Sequence, residues 1–267
     1  MKKKILSICL VAVIAVMAIT GASLAYLTDT DEAENTFVIG NVKIEQYEKD
    51  RNGNDFVQDQ KLLPIVNDSK DANGYHLGGN YIDKIVTVKN TGSEAAYIRT
   101  HIAFPAALDD GPMTYNASAN VLHWNGASAN DTFGAANFGG TIENDWYWGK
   151  SVENDWPNNG GDWNCYQTTI DGVLYNVYVV THGTAVEAEA TTAPSLFGVY
   201  LDAGVNCDEN GYFIMRNGAR VDVDMSNTDV LVLSEAVQAA GWDNAFTALN
   251  QAFGTPGSKD YVAPWNK

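Results

Sequence analysis

From Phe37 onward, apolar residues recur mostly at every second position, the period of a half-buried strand. Phe37 and Ile39 alternate, Gly40 and Asn41 intervene, and Val42 and Ile44 resume one step out of phase. A slip of that kind at a glycine predicts a β-bulge. Tyr81–Val88 and Ala95–Phe104 are β-rich runs on either side of Asn90-Thr91-Gly92-Ser93, which predicts a hairpin. Tyr166–Ile170 and Val173–Thr181 are joined by Asp171-Gly172, a two-residue hairpin signal. Further strands are predicted at Ser195–Leu201, Tyr212–Met215, Val221–Met225 and Val230–Val237. One segment has helical spacing: Phe246, Leu249 and Phe253, with Asp243 as cap, Gly254 as stop and Trp242 placed to staple onto its apolar face. That helix is expected to close one end of the fold. Short strands broken by Gly, Asn and Asp predict an all-β protein, a jelly-roll-like antiparallel β-sandwich with long insertions and a short C-terminal helix.

Two stretches depart from this pattern. At the N-terminus, Lys2-Lys3-Lys4 precedes an apolar run from Ile5 to Ile19, and Gly21-Ala22-Ser23-Leu24-Ala25 follows. A basic tip, an apolar centre and a small-residue exit predict a signal peptide over residues 1–25, cleaved between Ala25 and Tyr26. A run of fifteen residues, Ser7 among them, is too short for a spanning helix, which needs about 20. Cys9 follows the bulky Ile8 at the start of the apolar run, which does not fit a lipobox. The mature chain is then one β-sandwich domain, 26–267, opening with a polar, acidic arm at 26–36. The second departure, 106–164, is rich in Trp, Asn and Gly and lacks regular alternation. It is read as an elaborated insertion, because an unstructured loop of that length is unusual in a compact domain.

Ala25-Tyr26-Leu27-Thr28-Asp29, Asn35-Thr36-Phe37 and Gly40-Asn41-Val42-Lys43-Ile44 resemble the start of the TasA/camelysin family. The resemblance continues in Val86-Thr87-Val88-Lys89-Asn90-Thr91-Gly92 and Ala96-Tyr97-Ile98-Arg99, and faintly in Ala236-Val237-Gln238-Ala239. It implies an exported protein of a Gram-positive bacterium, a leader removed by a SipW-type signal peptidase, and a fibre-forming component of the biofilm matrix. Residues from about Pro105 to Cys165 carry no family pattern.

Charge narrows the partners. The chain has 16 basic and 33 acidic residues, and removing the leader with its three lysines takes the formal charge from −17 to −20. Such a surface repels nucleic acid and anionic lipid. Beyond the leader only Cys165 and Cys207 remain, either one bridge or two free thiols.

Candidate chemistry is sparse. His76, His101, His123 and His182 form no His-Glu-x-x-His motif, and no Gly-x-Ser-x-Gly elbow occurs. Glu187 and Glu189 are ordinary in so acidic a chain. No cofactor is expected, and the chain is read as non-enzymatic. Asp50, Asn52, Asn54 and Asp55 are weak calcium candidates, but the order is not that of an EF-hand and an Asx-rich turn accounts for them. Trp146 and Trp148 share a face of a short strand, where they either pack inward beneath loops or meet a glycan.

The arm offers the clearest function. It has few core-forming residues, so after cleavage it is free to add as a strand to a neighbouring copy. Tyr26, Leu27, Phe37, Ile39, Val42 and Ile44 would set the register. Head-to-tail addition does not close, so it builds a filament. The expected product is a secreted fibre subunit at the cell surface or in the extracellular matrix. Its expected partners are copies of itself, matrix polysaccharide and an accessory assembly protein. A camelysin-like secreted metallopeptidase and a monomeric glycan-binding adhesin are the alternatives.

Overall fold

A computed structural model of the chain describes residues 41–66, 79–109, 121–126 and 165–266. In chain order the strands are β1 (Ile44–Lys49), β2 (Ile82–Asn90), β3 (Ala96–Pro105), β4 (Leu122–Gly126), β5 (Cys165–Ile170) and β6 (Val173–Thr181). They continue with β7 (Leu196–Leu201), β8 (Asn206–Asp208), β9 (Gly211–Arg216), β10 (Ala219–Asp222) and β11 (Leu231–Gln238). Helix α1 (Ala245–Phe253) and a 3-10 turn at Pro264–Asn266 follow. Sheet I has the order β1-β2-β7-β4, sheet II β11-β3-β6-β5, and a small sheet III β10-β9-β8. Every pairing within the three sheets is antiparallel, so the all-β expectation holds.

Sheets I and II face each other across the main core. Val86, Leu122, Trp124, Val199 and Leu201 from sheet I meet Ile102, Phe104, Tyr178 and Val180 from sheet II. Trp124 lies at the centre, its ring 4.7 Å from Phe104 and 4.8 Å from Tyr178. Alternation along the strands puts these residues inward, as period-two patterning requires. Ile214 and Val223 pack the sheet III region against the same core.

Several expectations change. β2 and β3 are not a hairpin: β2 pairs with β1 and β7, whereas β3 pairs with β11 and β6. Residues 91–95 instead arch from one sheet to the other. Among the described residues the first strand runs from Ile44 to Lys49; Asn41–Lys43 of the expected Phe37–Ile44 strand are in no strand, and Phe37–Gly40 lie outside the described residues. The predicted Val221–Met225 strand is found at Ala219–Asp222, because Asn217 and Gly218, both at positive φ, make the turn that starts it. Asn244, not Asp243, caps α1, its side chain accepting from the Thr247 amide at 2.9 Å. The helix covers the outer face of sheet II through Ala245, Ala248, Leu249 and Phe253, packed on Tyr97 and Val237 with Trp242 beside them. Part of the 106–164 stretch, β4, is an integral core strand; 110–120 and 127–164 lie outside the described residues. The Asp171-Gly172 hairpin forms as expected, with Ile170 opposite Val173.

Candidate functional site at the N-terminal strand

Asn41, Val42 and Lys43 lead into β1 and are gripped by the arch that follows β2. Lys43 O accepts from the amides of Thr91 at 2.7 Å and Gly92 at 3.0 Å, and Asn41 O accepts from Ser93 N at 2.9 Å. A Cβ on Gly92 would stand 2.1 Å from Asn41 O, so only glycine permits this approach. Asn90 shapes the arch from within. Buried, it donates from Nδ2 to Glu94 O and Val186 O, both at 2.8 Å, and accepts from Gly92 N at 2.9 Å. Its own amide donates to Ala190 O and its carbonyl accepts from Glu189 N. The Asn-Thr-Gly signature therefore fixes the N-terminal segment to the domain instead of closing a hairpin.

Val42 and Ile44, assigned to the assembling arm, pack against Val88, Ala96, Ile98, Val186 and Ala236 of their own domain. Beyond them the inward positions of β1 are polar. Gln46 accepts from Ser234 Oγ at 2.8 Å, and Ser234 in turn bonds Thr100 Oγ1 at 3.0 Å. Glu48 pairs with the buried Lys84, whose Nζ lies 4.3 Å from the Phe56 ring centre. β1 is an edge strand of sheet I. Among the described residues Phe56 N donates to Glu48 O and shields its far end. Ala25, Tyr26, Leu27, Phe37 and Ile39 lie outside the described residues, as do Trp146 and Trp148.

The turn after β1 uses its own oxygens. Asp50 Oδ1 accepts from the amides of Asn52 and Asn54, both at 2.8 Å, and Asn54 Nδ2 donates to Oδ2 at 2.9 Å. The Asn54 side-chain bond is the main cause that holds the Asp50 carboxyl below its usual range. Asp55 pairs with Lys49 at 3.0 Å, and Arg51 forks onto Asp83 at 2.7 and 2.8 Å. The Asx-turn reading accounts for Asp50, Asn52, Asn54 and Asp55. Asp208, at the turn between β8 and β9, is clasped by Arg220, which also holds Asp222. Cys207 is a free, exposed thiol on β8, and Cys165 opens β5 in a different sheet.

Each described histidine has its own surroundings. His182 and Ser195 are buried and bond at 3.1 Å; burial lowers the imidazole to about 4. His123 Nε2 reaches Asp202 at 3.1 Å, and Arg216 joins the same carboxylate at 3.0 Å. Burial opposes ionisation of Asp202, but bonds from His123, the Gly204 amide and Arg216 hold its carboxyl well below the usual range. His101 belongs to a cluster that sequence reasoning missed. Its Nε2 lies 3.1 Å from Glu235 Oε2, its Nδ1 lies 3.1 Å from Tyr166 Oη, and Arg99 Nε donates to Glu235 at 2.8 Å. Arg99 and Glu235 are cross-strand partners in the β3–β11 register. The signal available was charged residues at alternate positions of a strand, which ordinarily mark a wet face. Here α1 and the C-terminal segment cover that face. Glu187 and Glu189 sit in the connection between β6 and β7, and Glu189 pairs with Lys89. Among the described residues no three His, Cys, Asp or Glu side chains are grouped to hold a metal ion. Compared with protein-family models, curated proteins and solved structures, the chain matches none.

Proposed function

We propose that this chain is a non-enzymatic, exported structural subunit that assembles into an extracellular fibre through its N-terminal arm. The observation that carries the reading is the grip of the 90–93 arch on Asn41 and Lys43. It gives the segment before Asn41 a fixed root beside an edge strand of sheet I. A strand presented from a fixed root loses less freedom on binding than a free tail does. Val42 and Ile44 are engaged within the domain, so the exchanged segment is Tyr26 to Gly40, with Tyr26, Leu27, Phe37 and Ile39 as its side-chain anchors. Removal of the leader frees that segment, so cleavage acts as the assembly switch. The likeness of residues 25–44 to the TasA/camelysin family supports the same reading.

A synthetic peptide of residues 26–40 tests the reading against a truncated chain of residues 41–267. The peptide is expected to bind the truncated domain and to halt fibre growth by the full mature chain. A peptide that binds nothing and leaves growth unchanged contradicts an arm-mediated mechanism.

A further inference from the structure

The outer face of sheet II is covered in two apolar patches with an ionic cluster between them. At one end Leu249 and Phe253 of α1 pack on Tyr97 and Val237. At the other Tyr261, Ala263 and Trp265 pack against Tyr166, Val177 and Leu231. Between them Glu235 Oε2 gathers Arg99 and His101, all three at most 1% exposed. The cluster ties the covering segment to the sheet. Arg99 Nη1 donates to Gly254 O at 3.1 Å and to Asn250 Oδ1 at 3.3 Å, and Trp265 Nε1 donates to Tyr166 Oη at 2.9 Å. The Arg99 guanidinium also lies 5.5 Å from the Phe253 ring centre and 6.0 Å from that of Tyr261. Gly241, at φ 89°, makes the turn between β11 and this segment.

We propose that residues 241–266 form a detachable cap, latched onto sheet II through Arg99, which the Glu235 carboxylate holds in place, and released by acid. Arg99 and His101 of β3, Tyr166 of β5 and Tyr261 of the cap are the titratable groups around Glu235, and α1 adds the neutral Asn250. The carboxylate is the counter-ion of this cluster. When it takes up a proton, Arg99 is left as a buried cation without its carboxylate partner. A buried charge that loses its partner is strongly unfavourable. Lifting the cap rehydrates both groups while the sandwich core, on the other side of sheet II, stays closed.

The sign follows from Glu235. Burial alone would raise its carboxyl, but His101 and Arg99 outweigh burial and hold it at about 2 with the cap in place, against 4.5 for a free carboxyl. The latch is therefore whole above pH 4.5 and is lost as pH falls toward 2. Water weakens the hold of Arg99 and His101 when the cap lifts, but both stay beside Glu235 on sheet II, so linkage raises the cap-opening constant by at most about 30-fold between pH 6 and pH 3. This inference is independent of fibre assembly.

Hydrogen exchange of the intact chain at pH 6 and pH 3, corrected for intrinsic rates, tests it. The amides of α1 should exchange faster at pH 3, by up to about 30-fold, while central β6 amides stay protected. The triple variant R99M/H101L/E235L, which keeps the contacts apolar, should lose the pH response. Glu235→Gln, which imitates the protonated carboxyl, should open α1 already at pH 6. An α1 indifferent to pH, an α1 that opens only together with β6, or a Glu235→Gln chain with a fully protected α1 at pH 6 would each overturn the proposal.

Discussion

At the residue scale, buried polar groups decide where this sandwich is strong and where it yields. His182 is kept neutral by burial beside Ser195, at about 4 against 6.5 for a free imidazole. Its folded value is depressed, so the unfolded chain takes up the proton first as pH falls. Stability is whole above pH 6.5 and falls by about 3 kcal/mol by pH 4. Urea titrations at pH 7 and pH 4 should show this loss, and His182→Gln should remove most of it. An unchanged pH slope in the variant would sink the assignment. Gly92 acts through space. Gly92→Ala should push the arch off Asn41, cost about 1–3 kcal/mol and expose the bond after Lys43 to trypsin. Nicking no faster than in the parent chain would mean that the arch does not hold the N-terminal root. Trp124, packed between Phe104 and Tyr178, is the largest fully buried side chain among the described residues. Trp124→Ala should cost about 3–5 kcal/mol in thermal or urea unfolding.

At the element scale, the hairpins and the arch show which local signals were sufficient. Asp171-Gly172 reads correctly because both residues take positive φ and the strands pair directly across them. Asn90-Thr91-Gly92-Ser93 reads wrongly as a hairpin because its polar groups serve distant partners: Val186, Ala190, Lys43 and Asn41. The apolar alternation legible in the sequence stops at Ile44, where β1 begins. The strand continues through Gln46 and Glu48, whose inward polar groups find Ser234 and Lys84, and no local pattern announces those partners. For α1 the apolar spacing was legible, but the choice between Asp243 and Asn244 as cap depended on backbone geometry. Asn244→Ala should cost about 1 kcal/mol, read from the urea midpoint, whereas Asp243→Ala should be close to neutral. A larger effect at Asp243 would reverse that assignment.

At the scale of the whole molecule, the fold class was legible and the layering was not. Alternating strands and scarce helix announce an all-β chain. They do not say that β2 and β3 belong to opposite sheets, or that a third layer covers the charged outer face of sheet II. Arg99 and His101 look like solvent-facing positions until Glu235, well over a hundred residues away, is placed opposite Arg99. The candidate site was legible in part. Residues around Asn41 were singled out, but the arch that seats them emerges only when the strand after the Asn-Thr-Gly signature crosses to the other sheet.

The central claim is that the segment ahead of Asn41 joins one copy to the next. Negative-stain microscopy with sedimentation, comparing residues 26–267 with residues 41–267, tests it most directly. The account predicts filaments from the longer chain and a folded monomer from the shorter one. Filaments from both, or monomers from both across a wide concentration range, would contradict it.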